Sequence, residues 1–181
     1  MMRSVFPFFA RIGQRFRKDD EGGVSLEFVA IFPIFMFLFL ASIEISIFMA
    51  RTALLERALD MNVRELRLGT MSPLTHEQLG IQVCEDSLLG SECPTAVKLE
   101  MTPVSRADWA LPTGGVTCID RESLLDPVIA FNPGTENQLI IIHACVVLEP
   151  FFGTTKYALG LPVQPDGGVA IRAASTFVNE P

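Results

Sequence analysis

Apolar side chains run without a charge from residue 28 to residue 43, and resume after Glu44 through Ile45, Ile47, Phe48, Met49 and Ala50. As a helix rising ~1.5 Å per residue, this run is long enough to cross the ~30 Å hydrocarbon core of a bilayer. A secretory signal has a core of ~7 to 15 apolar residues and a small-residue cleavage site beyond it. Here Arg51 and Thr52 stand where that site would fall, so the pattern predicts an anchor that is retained. After Arg51 the pattern becomes one-faced: Leu55, Leu59, Val63 and Leu66 recur at steps of four, four and three, with Arg57, Arg64 and Arg67 elsewhere. Gly69 is a natural stop. The expectation is one helix of about 45 residues, apolar all round at its start and burying one face against a domain at its end. Pro33 is the breaker inside it, and a kink near residues 31–35 is expected, as a harmless early-helix proline or as a hinge.

Beyond Gly69 the period changes. Thr75 with Gln78 three residues later resembles a capping box opening a short helix through about Leu88. Alternation in Val97, Leu99 and Met101 predicts a strand bounded by Pro94 and Pro103. Residues 115–119 form a weaker candidate strand, 138–148 a strong one and 169–178 the last. Gly and Pro clusters at 111–115, 132–134 and 160–168 predict the turns between them. The fold class is therefore α+β: a long N-terminal transmembrane helix continuing beyond the membrane as a helix packed on a small antiparallel sheet. The divisions are a leader (1–22), a transmembrane helix (23–50), its amphipathic extension (51–69) and an α+β domain (70–181).

Charge orients the anchor. Arg3, Arg11, Arg15, Arg17 and Lys18 precede the span, with few basic residues close behind it. The positive-inside rule puts the N-terminus in the cytoplasm. From Gly69 to the end, 5 basic residues face 13 acidic ones, a difference of minus 8. Such a surface disfavours nucleic acid and anionic lipid.

Four cysteines, Cys84, Cys93, Cys118 and Cys145, all lie on the exported side, which suits two disulfides in an oxidising compartment. Three connectivities are open; Cys84 with Cys93 and Cys118 with Cys145 is preferred, because the first pair closes a short loop around Gly90 and Pro94. Metal ligation is the competing use, but there is no C-x-x-C pair and His76 and His143 are the only histidines. No metal and no cofactor are expected.

The chemistry of interest lies at the front of the apolar run, in Gly22, Gly23, Val24, Ser25, Leu26, Glu27 and Phe28. A carboxylate within an apolar span costs ~2.5 to 3.5 kcal/mol at a helix centre and less near the interface. Glu27 either sits at headgroup level or has a partner. Cleavage between Gly22 and Gly23 would create an ammonium four residues before Glu27, and the two charges could pair within one chain or between neighbouring helices. Glu44, ~25 Å further along the helix, reads as a solvated carboxylate at the outer interface, the alternative being a second inter-helix contact.

This block, followed by an apolar helix with Pro33, resembles the processing region of type IV pilin-like precursors. It is most similar to the TadE/TadF group of minor pilins, or pseudopilins, of bacterial tight-adherence (Flp) pilus systems. The resemblance covers about residues 15–60, and the ending Asn179, Glu180, Pro181 is similar to the tails of that group. It implies a pilin-like fold, cleavage after Gly22 by a prepilin peptidase, Glu27 as the acidic fifth residue of the mature chain and Phe28 beside it. Helix packing would involve Glu27, Pro33 and Glu44. Gly23 departs from the aromatic first residue of major type IV pilins. The implied partners are the peptidase, other minor pilins, the pilus assembly machinery and the lipid bilayer.

Catalysis is not expected. His143 lies in the apolar run 139–147 and reads as a satisfied buried side chain, far in sequence from His76. Gly153, Thr154, Thr155 and Lys156 lack the glycine spacing of a phosphate loop. The alternatives to a minor pilin are an uncleaved bitopic anchor displaying a periplasmic scaffold or binding domain, and a secretion-system pseudopilin.

Overall fold

The computed structural model of the chain describes residues 23–69, 75–105, 117–118, 129–155 and 159–179. Two compact units divide it at Ala41 and Ser42. The element order is α1 (Gly23–Arg67), α2 (His76–Ser87), α3 (Cys93–Ala96), β1 (Val97–Val104), β2 (Leu139–Leu148) and β3 (Val169–Val178). The structure is α+β, a long apolar N-terminal helix with a small antiparallel sheet, as the periodicity predicts.

The first unit contributes the apolar beginning of α1, which is assigned as helix straight through Pro33. Ten large apolar side chains between Leu26 and Phe39 are 43–74% exposed. So many in one stretch exceed what water tolerates on a monomer surface. By length and composition α1 can cross a membrane.

The second unit, from Ser42 on, is built around the other end of the helix. Leu55, Leu59, Val63 and Leu66 are all buried there, while Arg57, Arg64 and Arg67 face solvent. Burying each of these aliphatic side chains is worth about 1.5–3 kcal/mol, which is why this half follows one face. The helix closes at Gly69, whose φ of 63° lets its N–H reach the Leu66 carbonyl.

Thr75 caps α2: its Oγ1 accepts the Gln78 N–H at 3.2 Å. Leu88 ends the helix in the left-handed region, with φ 54°. The sheet has the order β1-β2-β3, antiparallel throughout, with Leu99 opposite Ala144 and Ala144 opposite Ala173. One face, carrying Leu99, Met101, Ile140, Ile142, Val146, Ile171 and Phe177, shares a single core with α1 and α2. The other is closed in part by Cys118, Cys145, Val147 and Ala170.

Two expectations about the sheet change. Pro103 does not bound β1 but lies within it, opposite Ile140, and the strand runs on to Val104. β1 is an edge strand of the three; its outer side is met at Met101 by Ala130 and Asn132, and no described residue calls for an N–H at Pro103. Of residues 115–119, Thr117 and Cys118 are described and neither is in a strand; the rest, with the turn at 111–115, lies outside the described residues. The turn at 132–134 is present: the Gly134 N–H bonds Asn132 Oδ1 at 2.9 Å. A Cβ on Gly134 would come within 2.9 Å of Gln138 Oε1, and its φ is 70°, so glycine is required there.

Candidate functional site

Around the predicted processing site, Gly22 and the rest of the leader lie outside the described residues. Gly23 is helical, and no described residue outside its own turn comes within 4 Å of where a Cβ would stand. Glu27 is exposed, and no described residue partners its carboxylate. Phe28 is exposed too and stacks on Phe32, centroids 5.1 Å apart, as residues one helical turn apart do. Among the described residues, this acid stands alone on an apolar stretch of helix.

Glu44 contradicts its sequence reading. It is not a solvated carboxylate but 2% exposed. Oε1 accepts the Phe151 N–H at 3.1 Å and Oε2 the Phe152 N–H at 2.6 Å. Two backbone amides aimed at one carboxylate form charge-assisted hydrogen bonds, which are shorter and stronger than neutral ones. They satisfy both oxygens and offset the loss of water around the charge. The contact lies within one chain, between the helix and the segment that follows β2.

That segment is fixed at more than one point. Arg51 Nη1 donates to the Glu149 carbonyl at 3.0 Å. Thr155, 1% exposed, closes the turn: its N–H and its hydroxyl both reach the Phe152 carbonyl. Phe151 and Phe152 meet edge to face, 4.9 Å between centroids. Sequence reasoning missed this loop. Its signal is an apolar doublet, Phe151-Phe152, placed directly after Pro150 where a strand has just ended.

Further along α1, Asn62 is buried and donates to both the Ala58 carbonyl and Asp86 Oδ2, at 2.9 and 2.8 Å. Ser175 donates to Asp60 at 2.8 Å. The Asp86 contact joins the helix to α2 and the Ser175 contact joins it to β3.

The cysteines form two disulfides, Cys84–Cys93 and Cys118–Cys145. As disulfides the four sulfurs are not thiolate metal ligands. The histidines do not come together in one site. His76 Nε2 accepts the Leu99 N–H at 3.1 Å and its ring meets Phe131 edge-on, so it serves the outer edge of β1. His143 departs from the satisfied side chain expected of it: Nε2 is buried and has no partner among the described residues. It lies on the sheet face away from α1, opposite Glu100 and Ala174.

Comparison with family models, with curated proteins and with solved structures finds no match to this chain.

Proposed function

We propose that the chain is a minor pilin or pseudopilin of the TadE/TadF-like kind. In this reading it is a single-pass protein of the bacterial inner membrane, N-terminus cytoplasmic and C-terminal domain periplasmic. A prepilin peptidase trims it between Gly22 and Gly23, and the mature protein takes part in assembly of a tight-adherence pilus, at its base or within it. It is a substrate and a packing unit rather than an enzyme.

The observation that carries the reading is Glu27. It is an exposed carboxylate at the start of the apolar part of α1, without a described partner, four residues after the glycine that cleavage would turn into a new N-terminus. Such a charge is costly in lipid unless a cation meets it. The ammonium of Gly23, its own or that of a neighbouring copy, supplies the cation and sets the axial register of adjacent helices. Glu44 fits this division of labour: its carboxylate is occupied inside the chain, which leaves Glu27 as the acid open to neighbours.

The test is the mature N-terminus, read by mass spectrometry of membrane fractions with and without the cognate prepilin peptidase. The expected result is a peptidase-dependent start at Gly23. A leader retained in both strains overturns the reading in favour of an uncleaved bitopic anchor.

A further inference from the structure

The loop that holds Glu44 has a second property. The chain leaving β2 passes from Glu149, whose carbonyl Arg51 binds, to Phe151 and Phe152, whose N–H groups bind Glu44. On the helix, Glu44 is about two turns nearer the apolar end than Arg51. The loop therefore runs along α1 from the level of Arg51 to that of Glu44. Beside the Glu44 contact, Phe151 is 63% exposed. At the same level and just above it, Ile45 and Met49 on the helix are 39% and 61% exposed.

We propose that residues 149–155 form a lipid anchor, seating the Phe151 ring in the membrane interface on the domain's side of the bilayer. The inference rests on the reading of α1 as a membrane span. Its occupant is the headgroup and upper acyl region of zwitterionic lipid, because the domain's acidic surface repels anionic lipid. Exposed apolar side chains stand on both the helix and the loop at this height, Ile45 and Met49 on the first and Phe151 on the second. Aromatic side chains at this depth hold a helix at a fixed height. The carboxylate of Glu44 makes the arrangement possible, since the two N–H groups of the loop tip would otherwise enter the interface unpaired. Thr155 keeps the tip from swinging out into water.

The experiment uses the full chain in vesicles of phosphatidylcholine and phosphatidylethanolamine. Trp109, the one tryptophan of the chain, is replaced in a Trp109→Phe background, into which Phe151→Trp or Phe35→Trp is introduced. The lipids carry bromine near the carbonyl or near the chain end. Resistance of both disulfides to reductant checks that each variant is folded. The expected result is a blue-shifted Phe151→Trp emission quenched by the shallow bromine and spared by the deep one, with Phe35→Trp quenched by the deep one. Adding Glu44→Gln to Phe151→Trp is expected to lose most of the quenching, as the loop is released. If Phe35→Trp is quenched and Phe151→Trp is not, the loop anchor is overturned and the membrane reading stands. If neither is quenched, the membrane reading falls and the anchor with it.

Discussion

Oε2 of Glu44 accepts the backbone N–H of Phe152 at 2.6 Å, across 108 positions of chain. A carboxylate that interrupts an apolar run is thereby turned inward, and its charge becomes part of the domain. Replacing Glu44 with Ala removes both acceptors and leaves two N–H groups near an apolar surface. Each unpaired group costs about 1–3 kcal/mol. The variant is expected to expose residues 149–155 to protease while β1, β2 and β3 remain protected, which limited proteolysis with mass mapping checks.

The disulfides differ in the length of chain they close, 9 and 27 positions apart. Chain-entropy arguments assign roughly 3 kcal/mol to the shorter loop and somewhat more to the longer. Cys145 is fully buried on the central strand, whereas Pro94 and Ser91 around the shorter loop are exposed. A Cys118→Ser, Cys145→Ser pair is expected to lower the denaturation midpoint more than a Cys84→Ser, Cys93→Ser pair, measured by chemical unfolding in detergent. Equal or reversed losses would contradict the loop-length ordering.

His76 has a structural task. Replacing it with Ala leaves the Leu99 N–H without its acceptor on the outer edge of β1, at a cost of about 1–3 kcal/mol. Amide exchange at Leu99 is expected to speed up in this variant, with exchange at Ala144 on the central strand less affected.

At the front of the chain, the proposed trimming by a peptidase whose subsite requires glycine predicts that Gly22→Leu blocks cleavage without blocking insertion. Glu27→Gln is expected to insert and be trimmed normally but to assemble at least about tenfold less well, because a hydrogen bond to a charged group is worth about 1.5–3 kcal/mol. Immunoblots of cleaved and uncleaved forms and counts of pili read these two effects separately. Full piliation by the Gln variant would remove the pairing argument.

What the sequence disclosed was what has a local cause. The one-faced period of Leu55, Leu59, Val63 and Leu66, the Thr75 cap and the alternation of β1 follow from helix and strand geometry over a few residues, and the structure shows each of them. Pro103 was misjudged as a boundary because tolerance for proline depends on which strand is at the edge, a property of the whole sheet. The Glu44 contact was illegible for a different reason. Its partners are main-chain N–H groups, which every residue but proline carries, so the Phe151-Phe152 doublet marks the loop without announcing the acid that it binds. His143 was read from its apolar neighbours alone, which fix burial but not hydrogen bonding.

The contacts at Glu44, Arg51, Asp60 and Asn62 are spread along ~27 Å of one helix and end on the loop after β2, on β3 and on α2. A pull along the axis of α1 therefore loads them side by side, in shear, rather than one after another. Hydrogen bonds and buried leucines arranged in parallel must yield together, so the second unit is built to be dragged by its helix without peeling from it. A load applied across the axis at the N-terminal end of α1 would meet these contacts one at a time, beginning with Glu44, the first of them along the helix.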